Sequence, residues 1–257
     1  MQIVAEAKRS ARPDAEVPVV AWAHDDLRRR SLQPDSPRPH RRHPAVGRRP
    51  SLDELASALK LTPAAVASGL RELEQVHGIV LHPDSVAPWI VHPFALSPTA
   101  TWVESARGGF WAPCMWCALG ITTLVGDATI YTRLGGEGKS IALNVRGGRS
   151  DQDELLVHFP LPPRAAWANV HHFCAMVLPF CSESDIDAWS ARHRLPRGRG
   201  VPMPQLAGLA ARWYGRHADA DWRKWTRAEA QAIFAAAGLT DEFWHLTASD
   251  AIGSERF

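Results

Sequence analysis

Between residues 51 and 98 the hydrophobic pattern switches from a helical period to a strand period, and this switch constrains the fold more than any other feature. Ser51 can cap a helix while Glu54 reaches back to its amide, a reciprocal capping box. Leu52, Leu55, Ala56 and Leu59 then share one face. Thr62-Pro63 opens a second helix with proline in its first turn, and Val66, Leu70 and Leu73 supply its apolar stripe before Gly78 ends it. Ile79-Val80-Leu81 and Trp89-Ile90-Val91 read as short strands across a Pro/Asp turn. Two short helices followed by a hairpin predict a winged helix-turn-helix module over 51–98.

From Thr101 onward short strands alternate with helices. Trp116 to Val125 is apolar without interruption and predicts a buried helix. Thr129–Leu134 and Ser140–Val145 read as strands paired across Gly135-Gly136, and Leu155–Phe159 as another strand. Thr226 and Glu229 form a second capping box, opening an alanine-rich helix that Gly238 ends. The expected fold class is therefore α+β: the winged module, then a mixed-sheet domain over 99–250 that ends in a helical extension. Gly135-Gly136 and Gly147-Gly148 are turn signals and lack the strand-to-helix context of a phosphate loop.

Residues 1–50 form a Pro/Arg-rich leader, including Arg28-Arg29-Arg30 and Arg48-Arg49-Pro50, with little periodicity to organise a core; it is predicted to be disordered. The leader holds eleven Lys/Arg against six Asp/Glu, and the rest of the chain eighteen against twenty-one, so the net charge of +2 conceals a mildly acidic folded part. A nucleic-acid binder keeps its basic residues on a structured face. The helix over 63–76 carries mostly Ala, Gly, Ser and Glu around Arg71, which makes nucleic acid a poor fit as partner. No apolar run approaches the ~20 residues of a membrane span, and the N-terminus lacks a secretory pattern. These features predict a cytoplasmic chain with no membrane partner; its oligomeric state is left open.

In a reducing compartment Cys114, Cys117, Cys174 and Cys181 are available as thiolates. Cys114-Met115-Trp116-Cys117 has the two-residue spacing that lets both sulfurs face one metal ion or form a redox pair. Cys174 follows His171-His172-Phe173, and Cys181 follows Pro179-Phe180, too widely spaced for a zinc knuckle. Trp116-Cys117-Ala118-Leu119 leads into an apolar helix and a strand pair, and Phe173-Cys174 precedes Phe180 and a helix carrying Trp189. This arrangement resembles the alkylmercury lyase (organomercurial lyase) family over about residues 51–190, with the segment from Trp213-Tyr214 to Trp244 as an extension.

The resemblance implies that Cys117 and Cys174 bind the mercury of an organomercurial and that no cofactor is required. Soft thiolates select a soft metal, and a nearby acid completes protonolysis of the carbon–mercury bond. In the family that acid is an aspartate three residues after the first cysteine; here the position is Gly120, which holds no proton. Loss of a positioned general acid removes about 10²–10⁴ in rate. Cys114 is the first candidate to replace it, ahead of His171, His172 or a water. The expected site is thus Cys117, Cys174 and Cys114, with an organomercurial or a soft metal ion as ligand. The alternatives are a non-catalytic soft-metal binder and a scaffold relative recruited to other small-molecule chemistry.

Overall fold

The computed structural model describes residues 50–75, 78–219 and 222–246. All of the Pro/Arg-rich leader but its last residue lies outside them. Ser51 Oγ accepts the Glu54 amide at 3.2 Å and Glu54 Oε2 accepts the Ser51 amide at 2.7 Å, closing the capping box of α1 (Leu52–Leu59). The next helix, α2 (Pro63–Gln75), turns Val66, Leu70 and Leu73 inward against Leu55 and Ala56. Strands β1 (Ile79–Leu81) and β2 (Pro88–Val91) pair antiparallel and add Ile79, Leu81 and Val91 to the same small core. Trp222, far along the chain, completes that core.

β2 also pairs with β3 (Phe94–Ala95), which joins the hairpin to the principal sheet. That sheet continues through β4 (Thr101–Ser105), β5 (Gly108–Ala112), β6 (Ala128–Arg133), β7 (Ser140–Arg146) and β8 (Arg149–Ser150), in the order β1-β2-β3-β5-β4-β6-β7-β8. A second sheet sets β9 (Leu156–Phe159) between β10 (Leu178–Phe180) and β11 (Arg199–Pro202). Every described pair in both sheets is antiparallel, so the mixed sheet expected from the sequence is corrected. The short turns after β4, β6 and β7 permit only antiparallel pairing of those neighbours, because a parallel pair needs a long crossover. The strand pair across Gly135-Gly136 is present, with φ of 57° and 77° at the two glycines, a conformation that favours residues without a Cβ.

The hairpin of β4 and β5 was not legible in the sequence. Trp102 stands opposite Trp111, and Gly109 lies beneath the Trp102 ring, where a Cβ would come within 1.8 Å of the indole. Gly109 thus makes room for an aromatic side chain rather than breaking the strand.

The helix α3 (Met115–Val125) is apolar on all sides and buried along Met115 to Thr122, as expected of a helix enclosed by other elements. It packs on β4 and β5 and against α6 (Met203–Tyr214). Burying Leu119 and Ile121 contributes about 1.5–3 kcal/mol each. Gly126, at φ 87°, ends the helix. The remaining α-helices among the described residues are α4 (Val170–Ala175), α5 (Glu183–His193) and the Thr226-capped α7 (Arg227–Ala236), which packs on α6. Among the described residues no helix is long and apolar enough to cross a membrane.

Candidate functional site

Local geometry begins with Cys114. Its backbone is extended and its Sγ accepts the Cys117 amide at 3.3 Å, so a cysteine performs the N-capping task that usually falls to Ser, Thr, Asp or Asn. The cap fixes the first turn of α3, and the two-residue spacing then brings the Cys117 thiol to the same end of the helix. Cys174 arrives from α4, whose start is capped by Asn169 through the His172 amide at 2.9 Å. All three cysteines are buried, and Cys114 lies close enough to the Cys117 and Cys174 thiols for both to alter its ionisation. The three thiols named from the sequence therefore meet in one place.

Two further residues join them. His92, just after β2, brings Nδ1 to 3.6 Å from Cys117 Sγ, and Tyr214, on the last turn of α6, brings its hydroxyl to 3.4 Å from the same sulfur. The ligand atoms of His92, Cys117 and Cys174 all lie within 4.8 Å of one another, the one such grouping of three His, Cys, Asp or Glu side chains among the described residues. Neither residue carried a local signal. His92 has no fixed spacing to a cysteine, and Tyr214 lies 97 residues from Cys117.

The histidines considered from the sequence fall elsewhere. His171 is half-buried and packs against Trp89 at 4.1 Å with the rings tilted, with no hydrogen-bond partner at Nδ1, while His172 is exposed. Cys181 is exposed and lines a surface hollow with Glu137, Asp185 and Arg192.

A cavity of about 80 Å³ opens over the thiols. Its wall combines Cys117, Cys174 and His92 with Trp116, Phe173, Trp213, Tyr214 and Phe234, and Trp222 and Lys224 also contribute. Trp116 meets Trp213 edge-on at 5.1 Å, and Trp213 stacks on Phe234 at 5.6 Å. The indole N–H groups of Trp116 and Trp222 are buried without a protein acceptor. Such a space is mostly apolar and provided with a few convergent polar atoms.

The electrostatics divide the thiols. Burial opposes ionisation of Cys114, but the hydrogen bonds with the Cys117 and Cys174 thiols and from the Cys117 amide outweigh it and hold its pKa well below the ordinary thiol range. Cys117 is pushed well above that range by burial and then by its hydrogen bond to Cys114. Cys174 is pushed up by its hydrogen bonds to Cys114 and Cys117, with burial adding to them. Among the three thiols, Cys114 is thus the one that ionises most readily. Burial lowers the His92 pKa to about 4, with the Cys114 charge opposing and Lys224 assisting, so the imidazole is neutral at pH 7. Burial, followed by the charges of Cys117 and Cys114, raises that of Tyr214, which stays a phenol. Neutral imidazole and soft sulfur together form a donor set for a soft or borderline metal.

Gly120 lies one turn after Cys117. A Cβ built there would come within 2.2 Å of Tyr214 Cδ2. The glycine lets α6 approach α3 closely enough to insert the tyrosine ring.

Residues 94–215 match the model of the alkylmercury lyase family, MerB. The match takes in Cys114, Cys117, Cys174 and Tyr214, beginning later and running further along the chain than the 51–190 expected from the sequence. No curated protein matches the chain. Among solved structures, the crystal structure of the mercury-bound form of MerB2 is similar at a TM-score of 0.52 and 20% sequence identity, covering 65% of this chain and 80% of that one. At that identity the likeness speaks for the fold. The chain resembles alkylmercury lyases both in sequence over 94–215 and in architecture.

Proposed function

We propose that this alkylmercury-lyase-like chain binds organomercurials through Cys117 and Cys174 and cleaves their carbon–mercury bond by protonolysis, releasing the hydrocarbon. The observation that carries the reading is the convergence of Cys117, Cys174 and His92 within 4.8 Å at the wall of an apolar cavity. Two sulfurs donate electron density to mercury and weaken its bond to carbon, while the aromatic wall receives the hydrocarbon group and limits access of water. His92, neutral, can complete the metal's surroundings. The family match and the mercury in the MerB2 neighbour support mercury over other soft metals.

The test is incubation of the reduced protein with phenylmercury and excess small thiol, following benzene. Release is expected from the unaltered chain and not above background from Cys117→Ser or Cys174→Ser. Mercury held tightly without any benzene would instead favour the second reading, a soft-metal binder that does no chemistry. Gly120 is the observation behind that alternative, since it supplies no acid where the family has one.

We read residues 51–98 as a winged-helix module and 99–250 as the thiol domain with its extension. The order helix, helix, hairpin supports the first assignment. Without a basic recognition helix, a structural role suits the module better than nucleic-acid binding. Its contribution of Gly78 and His92 to the cavity wall accords with that role. We assign the chain to the cytoplasm, where its thiols remain reduced.

A further inference from the structure

This inference rests on the lyase reading and supplies the proton that Gly120 cannot. We propose that the Tyr214 hydroxyl is the proton donor for cleavage of the carbon–mercury bond. The space into which a side chain at position 120 would project is not empty: a Cβ there would lie 2.2, 2.7 and 2.8 Å from Cδ2, Cε2 and Cγ of the Tyr214 ring. The loss of a side chain on α3 and the insertion of a ring from α6 are therefore one feature of the packing. The ring ends in an O–H 3.4 Å from Cys117 Sγ, on the wall of the same cavity as Cys174 and His92. Buried beside Trp116 at 6.1 Å and His217 at 4.9 Å, it is held in place rather than free to swing.

The other candidates fit less well. Cys114 Sγ is committed as an acceptor, capping α3 through the Cys117 amide. His171 packs against Trp89, and His172 faces solvent. His92 turns Nδ1 toward Cys117 Sγ, and as a ligand to mercury beside Cys117 and Cys174 that atom would give its lone pair and have no proton to deliver. Tyr214 faces Cys117 with an atom that carries its own hydrogen.

The step balances without a co-reactant beyond the small thiol that delivers the substrate. Cys117 sulfur displaces that thiol from mercury, and the Cys117 proton leaves with it. The electron pair of the carbon–mercury bond then takes the Tyr214 proton, forming the C–H bond of the released hydrocarbon. The Cys174 sulfur bonds to mercury as its proton passes to the phenolate oxygen, which leaves Hg(II) held by two thiolates and Tyr214 as a phenol.

Tyr214→Phe keeps the ring against Gly120 and removes only the hydroxyl. In single-turnover reaction with phenylmercury, benzene release is expected to fall by about 10²–10⁴-fold while one mercury per chain is still bound. A second comparison separates proton supply from packing. Tyr214→Ala clears the space beside position 120, and adding Gly120→Asp to it restores an acid there. Faster release from the double variant than from Tyr214→Ala alone supports the proposal; equal or slower release speaks against it. Wild-type rates in Tyr214→Phe overturn the proposal and leave the lyase reading intact. Absence of benzene from the unaltered protein, with mercury bound, overturns both.

Discussion

Cys174 and Cys181 are seven residues apart and each follows a phenylalanine, yet one is buried among sulfurs and the other is exposed beside Glu137, Asp185 and Arg192. The chain leaves α4, runs through β10 and emerges at the surface between them. Similar local sequence therefore yields a candidate ligand at one end of this segment and a surface thiol at the other. The difference lies in what the fold brings from a distance: α3 delivers Cys114 and Cys117 to Cys174, and no second helix delivers a thiol to Cys181 among the described residues. A cysteine's chemistry is set by its neighbours and their charge rather than by its spacing in the chain.

Three experiments sharpen this contrast or break it, the largest effect coming first. With one equivalent of mercury bound, iodoacetamide followed by peptide mapping is expected to label Cys181 fully and to leave Cys117 and Cys174 nearly untouched. Protection of Cys181, or labelling of Cys174, would erase the distinction. Next comes tolerance to a new carboxylate. Gly120→Asp drives a side chain into the Tyr214 ring and is expected to cost about 1–3 kcal/mol of stability in urea unfolding, whereas Cys181→Asp stays within about 0.5 kcal/mol.

The smallest effect concerns pH beneath the Cys181 strand. His158 is buried edge-on to Phe180 and Trp189, and its Nε2–H donates to the Arg197 carbonyl at 2.7 Å. Burial lowers its pKa from the usual 6.5; the hydrogen bond and the charge of Glu183 oppose this, and the charge of Arg197 adds to it. The folded state thus binds the proton more weakly than the unfolded state. Stability from this group is complete above pH 6.5 and is lost as pH falls through the folded pKa. His158→Gln retains a donor for Arg197 and is expected to flatten part of the decline below pH 6.5, with the rest left to other histidines whose pKa partial burial lowers, such as His171. An unchanged decline would remove His158 from the account.

Much of the architecture was legible because local chemistry dictated it. Ser51 with Glu54 and Thr226 with Glu229 marked two helix starts, the stripe Val66, Leu70 and Leu73 marked the inner face of α2, and the unbroken apolar run after Cys117 marked a buried helix. The pairing of Cys117 with Cys174 was legible through the family resemblance. His92 and Tyr214 were not, because each reaches the thiols only through tertiary packing: one through a strand end shared between the small module and the main sheet, the other through α6 lying on α3 at Gly120. The antiparallel order of the sheet escaped for a similar reason. Two-residue β3, which links the hairpin to β5, is too short to leave a periodic trace.

The central claim is that mercury is held by Cys117 and Cys174 together, and X-ray absorption at the mercury edge on the one-to-one complex addresses it most directly. Two sulfur neighbours are expected in the unaltered protein and in Cys181→Ser, and one protein sulfur fewer in Cys117→Ser and in Cys174→Ser. An unchanged pair of sulfurs in either of the last two would place the mercury elsewhere and contradict the account.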